Sequence, residues 1–137
     1  MMLAMRTSKT ATPLLLALAL AAPLAARAAP SPAVQQDVKH LLEYIEQSGC
    51  SFYRNGSWSD AKAAQGHVRM KYDALASQGK IVTAKDFIER AASESSFSGS
   101  PYQIKCGANA PVLSRVWLSD ELARYQAAAG SAAALSR

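Results

Sequence analysis

Only two cysteines occur in the 137 residues, Cys50 and Cys106, so the way the cell uses them limits every fold the chain can reach. The N-terminal residues point to the compartment that decides this. Arg6 and Lys9 form a positive stretch, Pro13 to Ala22 is an apolar run built almost wholly of Leu and Ala, and Ala26-Arg27-Ala28 sets small residues at minus three and minus one. This is the layout of a cleavable signal peptide over residues 1–28, cut after Ala28. The apolar run is far shorter than the roughly 20 residues a helix needs to cross a bilayer, and no later stretch is as hydrophobic, so no membrane anchor is expected after cleavage. Lipoprotein acylation would need a cysteine directly after the cut, and the first is Cys50. The expectation is a soluble, exported protein of a bacterial periplasm. There Cys50 and Cys106 are expected to join in a disulfide. The bridge would close a loop of roughly 57 residues and destabilise the unfolded chain by about 4 kcal/mol. The alternative, a redox-active or metal-binding pair, lacks a Cys-x-x-Cys spacing or any clustering of His with Cys.

Charge follows the same division. Three of the 15 basic residues (Arg6, Lys9 and Arg27) leave with the signal, against no acidic ones, so the formal net charge falls from +5 to +2. The remaining Lys and Arg are scattered, whereas neutralising a phosphate backbone needs a clustered basic face, so nucleic acid is not an expected partner. About 109 mature residues suit one domain with one modest core.

Ser31-Pro32 reads as an N-cap and first-turn proline, and Val34, Val38, Leu41, Leu42 and Ile45 recur at helical spacing until Gly49. Ser51 to Arg54, the Asn55-Gly56 pair and Ser57-Trp58 predict a tight β-hairpin with a type I′ turn. A second helix is expected from a Ser59 cap, with Ala61, Ala64, Val68, Tyr72 and Leu75 on its buried stripe and Gly79 as its stop. Thr83 and Asp86 suggest a capping box opening a third helix through Phe87, Ile88 and Ala91. Ser93 to Pro101 reads as a loop and Tyr102 to Cys106 as a strand. A last helix should start between Ser114 and Ser119, and the Ala-rich residues 127–137, with nothing large to bury, are expected to form a flexible tail. The fold class is therefore α+β, a small single domain of about four helices with a short three-stranded antiparallel sheet and one disulfide.

The segments Phe52-Tyr53-Arg54-Asn55-Gly56, His67 with Lys71 and Tyr72, Thr83-Ala84 with Asp86-Phe87-Ile88, Ser95-Ser96 with Ser98-Gly99 and Pro101-Tyr102, and Trp117-Leu118 with Glu121-Leu122 occur in an order that resembles the YfeK-like family of exported bacterial proteins. The resemblance covers residues 29–126. It implies a periplasmic α+β domain of unknown function and supplies no mechanism.

The candidate ligand-binding residues are Arg54, Asn55, His67, Lys71, Ser96, Ser98 and Tyr102. His67 and Lys71 stand one helical turn apart and can hold an anion or share a proton. The bland alternative for His67 is a partly buried ring hydrogen-bonded to a strand or to the serine loop. His40, between two apolar positions of the first helix, is expected to be a solvated surface residue. Ser95, Ser96 and Ser98 offer hydroxyls, but there is no Gly-x-Ser-x-Gly elbow, and a turn or helix-end role is the simpler reading. Arg54 can bind a carboxylate or phosphate through its planar fork, or form a surface ion pair. Tyr53, Trp58 and Tyr102 suit sugar stacking, although in so small a domain they are expected to be core.

No metal spacing is present, and no catalytic residue or cofactor is assigned. The function these residues favour is a non-catalytic binding or accessory module of the cell envelope, with an envelope protein or cell-wall fragment as partner. Two alternatives remain open. One is a lysozyme-inhibitor-like protein, on the short Ser98-Gly99-Ser100-Pro101-Tyr102 string; the other is a small Ser/His hydrolase.

Overall fold

The computed structural model describes residues 27–137. The signal peptide expected over residues 1–28 lies outside the described residues except for Arg27 and Ala28. Eight elements follow: α1 (Pro32–Gln47), β1 (Ser51–Arg54), β2 (Ser57–Ser59), α2 (Ala61–Ser77), α3 (Ala84–Ala91), β3 (Gln103–Lys105), β4 (Val112–Leu113) and α4 (Ser114–Leu135). The domain is α+β, with one four-stranded antiparallel sheet in the order β2-β1-β3-β4.

Local chemistry sets most boundaries. The Ser31 hydroxyl accepts from Val34 N and starts α1, with Pro32 in its first turn. Asn55 and Gly56, at φ 48° and 85°, make the turn between β1 and β2, and the left-handed pair matches the twist of the strands it joins. Gly79, at φ 68°, ends α2 in a Schellman arrangement: its N–H reaches Ala76 O while Lys80 N–H reaches Leu75 O. Thr83 and Asp86 form the expected reciprocal capping box of α3.

Five expectations need correction. Asp60, not Ser59, caps α2, accepting from Ala63 N at 2.8 Å; Ser59 ends β2 and donates to Phe52 O. The sheet has four strands, not three, because Val112 and Leu113 pair with Ile104 and Gln103. Two residues are too few for alternation to be read, and only the partner strand makes them a strand. The tail expected to be flexible after Gln126 is helical to Leu135, although residues 127–137 are all exposed. Alanine, the strongest helix former, extends α4 here without any packing. His40, the fourth, and Tyr53 with Trp58, the fifth, are described with the site below.

Phe52 and Ile104 sit opposite one another in the register and face the helices. They join a core of Val38, Leu41, Leu42 and Ile45 from α1, Val68 from α2, Phe87 and Ile88 from α3 and Leu118 from α4. Helix α1 packs against all three other helices. The opposite sheet face carries Tyr53, Trp58, Gln103 and Lys105, each half-buried or exposed, as the alternation of side chains along the strands places them. Cys50 and Cys106 form the disulfide, with Cα atoms 4.4 Å apart. They flank the Ser51–Lys105 pair, so β1 and β3 are the neighbours that the bridge demands.

Candidate functional site

Three segments distant in sequence meet at the hairpin end of the sheet. Helix α2 presents His67 and Lys71 on one side, one turn apart, because residues at i and i+4 share a face. Tyr102, just before β3, lies on the helix side of the sheet and is 7% exposed. Its hydroxyl is 3.2 Å from His67 Nε2 and accepts from Lys71 Nζ at 3.3 Å. Lys71 Nζ also donates to Glu94 O at 2.7 Å and lies 5.1 Å from the centre of the Tyr102 ring. With Lys71 donating to the oxygen, the Tyr102 proton is free to point at the Nε2 of a neutral His67.

The electrostatics favour that neutral form. Burial first, then the charges of Arg54 and Lys71, hold His67 below its ordinary value. Burial and Arg54 likewise lower Lys71, against a contribution from Glu94 that raises it. Burial raises Tyr102, with Arg54 acting in the opposite sense. Arg54, exposed at the end of β1, thus acts on all three groups. Among the described residues neither Arg54 nor Lys71 has a carboxylate within ion-pair distance. Arg54, His67 and Tyr102 line a cleft of about 60 Å³ whose floor is Ile45, Phe52, Ala64 and Val68. Drug-sized ligands fill some 300 Å³ or more, so this cleft fits a single small group and not a whole cofactor.

The serine loop closes against the same hairpin. Ser95, 5% exposed, accepts through Oγ from Asn55 Nδ2 at 3.1 Å and from the backbone N–H groups of Phe97 and Ser98, both at 3.3 Å. Ser98 Oγ donates to Asn55 Oδ1 at 2.8 Å. Ser93 Oγ donates to Ile88 O at the end of α3. These serines therefore satisfy a tight turn and a helix end, and the hydrogen-bond partner of His67 is Tyr102, not a serine.

Of the sequence candidates, Arg54, His67 and Tyr102 line the cleft, Lys71 reaches the Tyr102 hydroxyl beside it, and Asn55 and Ser98 brace the adjoining loop. Ser96 is exposed and makes no side-chain hydrogen bond among the described residues, so it stays outside the cluster. Ser95 is the member that the candidate set lacks. Serines also stand at positions 96 and 98, and only the fold distinguishes the buried hydroxyl from these exposed ones. The aromatic residues divide: Tyr102 is buried, whereas Tyr53 is half-buried and Trp58 is 46% exposed, which corrects their expected place in the core.

His40 is not a solvated surface residue. Its Nε2 lies 2.6 Å from Glu121 Oε1 and its ring stacks on Tyr125 at 3.8 Å. Glu121, 4% exposed, also receives Arg124 through both oxygens. Burial pushes the Glu121 carboxyl up, but the hydrogen bonds from Arg124 and His40 outweigh it and hold the group below the usual carboxylate range. Both Glu121 oxygens are engaged within the cluster, which ties α4 to α1. In a larger groove of about 590 Å³ between α1 and α2, the lining Lys39 pairs with Glu43 and Arg69 is drawn to Asp73 outside it, and the groove gathers no convergent set. Among the described residues no three His, Cys, Asp or Glu side chains come together as metal ligands, and no helix is long and apolar enough to cross a membrane.

A family model matches residues 32–126, from the first residue of α1 into α4. The chain belongs to DUF5329, a family of unknown function. The DUF5329 match contains both cysteines, all seven candidate ligand-binding residues and the His40–Glu121 tie; the exposed helical residues after Gln126 fall beyond it. Neither a curated protein nor a solved structure matches the chain. The DUF5329 description agrees with the resemblance in one respect, a domain of unknown function, and assigns no residue a role.

Proposed function

We propose that this chain is an exported, non-catalytic module of the periplasm that holds an acidic group of an envelope partner, a carboxylate or a phosphate, between Arg54, His67, Lys71 and Tyr102. The carrying observation is that His67 and Lys71 reach one hydroxyl, that of Tyr102, which shares a cleft with Arg54, while among the described residues no carboxylate is paired to Arg54 or Lys71. The charges of Arg54 and Lys71 lower His67, and that of Arg54 lowers Lys71, and an anion between them would relieve that repulsion while receiving charge-assisted hydrogen bonds. The size of the cleft supports the capture of one group displayed by a larger partner. The Cys50–Cys106 bridge is compatible with export, as is the signal-like N-terminus. A hydrolase has less support, because His67 is bonded to Tyr102 and the serine hydroxyls are engaged in the loop. Placement of the chain among YfeK-like proteins is a finer family assignment, supported here by the ordered segments that carry the resemblance.

Sulfate, whose charge is constant across neutral pH, is a suitable probe. Titrated into the purified protein and followed on the histidine ring resonances, it should shift His67 saturably and leave His40 unmoved. Arg54→Ala and Lys71→Ala should abolish the shift with little change in Tm. A linear drift shared by both rings would sink the proposal.

A further inference from the structure

Phe97 is 98% exposed at the tip of the serine loop, and the loop beneath it is fixed from several sides. Ser95 Oγ accepts the N–H of Phe97 itself, Ser95 N donates to Ser100 O, and Gly99 N donates to Ser95 O. Asn55 of the hairpin turn clasps both Ser95 and Ser98, and a bridge between Glu94 and Pro101 closes the loop at its base. Met70, Val82 and Leu135 are also exposed, but single apolar side chains on helices or turns are normal on a surface. Phe97 differs because a dedicated hydrogen-bond network holds it away from the core. Such an aromatic has already lost its loop entropy, so its burial by a partner is not offset by the cost of ordering the backbone.

We infer that the loop at 95–100 is a protein-docking element, with Phe97 as its anchor and a partner that presents an apolar socket beside acidic side chains. The inference rests on the basic site of the proposed function for the charge of that partner. Aromatic residues and Arg are concentrated at the energetic centres of protein interfaces. Here Phe97 is tied through Asn55 to the strand end that carries Arg54, and through Glu94 to Lys71. Glu94 is the acidic residue whose charge reaches Lys71, and among the described residues no carboxylate lies within ion-pair distance of Arg54. An anionic bilayer fits less well. A single aromatic ring buries less apolar surface than one myristoyl chain, which itself gives only marginal membrane binding.

The test places the photo-crosslinker p-benzoylphenylalanine at position 97 of the full chain, in cells that make the protein, and identifies what is joined to it. The identified partner is then purified and its Kd measured against the parent, Phe97→Ala, Arg54→Ala and Lys71→Ala. The inference expects one crosslinked protein with carboxylates around the attachment point. It also expects Phe97→Ala to raise Kd roughly tenfold or more without lowering Tm, and added salt to weaken the complex. Crosslinking to phospholipid alone, the lack of any crosslinked protein, or a Phe97→Ala protein that binds like the parent overturns it. If Phe97→Ala loses binding while Arg54→Ala and Lys71→Ala retain it, the docking loop stands and the basic site is what fails.

Discussion

His67 is the residue at which burial and charge act in the same direction. Its folded form resists protonation, so between its folded value and the ordinary imidazole value of 6.5 the unfolded chain binds more protons than the folded one. Stability from this residue is full above that ordinary value and is lost as pH falls through the window below it. Glu121 acts lower on the scale: its carboxyl is held down, so its contribution is present above the ordinary carboxylate value and lost as pH falls further. A plot of Tm against pH should therefore fall in two steps on acidification. His67→Gln should remove the upper step and leave the lower one; an unchanged upper step would assign it to another group. His67 was recognisable in the sequence as a candidate, one turn from Lys71, but its environment was not, because Tyr102 and Arg54 come from segments 35 and 13 positions away. The surroundings of His40 are hidden from the sequence for a related reason. Helical spacing put it beside apolar positions without revealing that α4 would bring Glu121 and Tyr125 over it.

Among the elements, the hairpin and the serine loop behave as one unit held by Ser95. Its Oγ serves three donors, and without it the side chain of Asn55 and two backbone N–H groups lose a partner at a half-buried position. Ser95→Ala should cost about 1–3 kcal/mol, measured by denaturant unfolding, and should speed amide exchange at Phe97 and Ser98 while the helices keep their protection. Ser96→Ala, one residue away and exposed, should do neither. If the two variants behave alike, the Ser95 network does not hold the loop. The hairpin itself was legible, since Asn55-Gly56 can adopt the left-handed pair that a two-residue turn needs. The same holds for Ser31-Pro32 and for the Thr83–Asp86 box, whose hydrogen bonds run between residues three apart. Strand β4 was not legible. Val112 and Leu113 become a strand only because β3 lies beside them, and no local preference of two residues encodes that pairing.

At the scale of the whole molecule, one covalent tie spans most of the sheet. Cys50 enters β1 and Cys106 leaves β3, a sequence separation of 56, and the unfolded chain without the bridge regains loop freedom worth about 4 kcal/mol. For a domain whose core comes from fewer than twenty buried apolar side chains, that is a large share of typical net stability. Reduced protein, or Cys50→Ser paired with Cys106→Ser, should melt at least 10 °C lower, by roughly 4–8 °C per kcal/mol for a domain of this size. A melt unmoved by reduction would contradict this. By itself the sequence determined the caps of α1 and α3, the hairpin turn, the helical stripes and the α+β class, because each depends on residues within a few positions of one another. Whatever joins distant segments was decided by the tertiary structure: the fourth strand, the partner of His40, the choice of Ser95 over Ser96, and the meeting of Arg54, His67, Lys71 and Tyr102. The physical reason is that burial and charge at a site depend on what packing brings near it, and many sequences with the same local patterns would fold to the same elements without gathering those groups in one place.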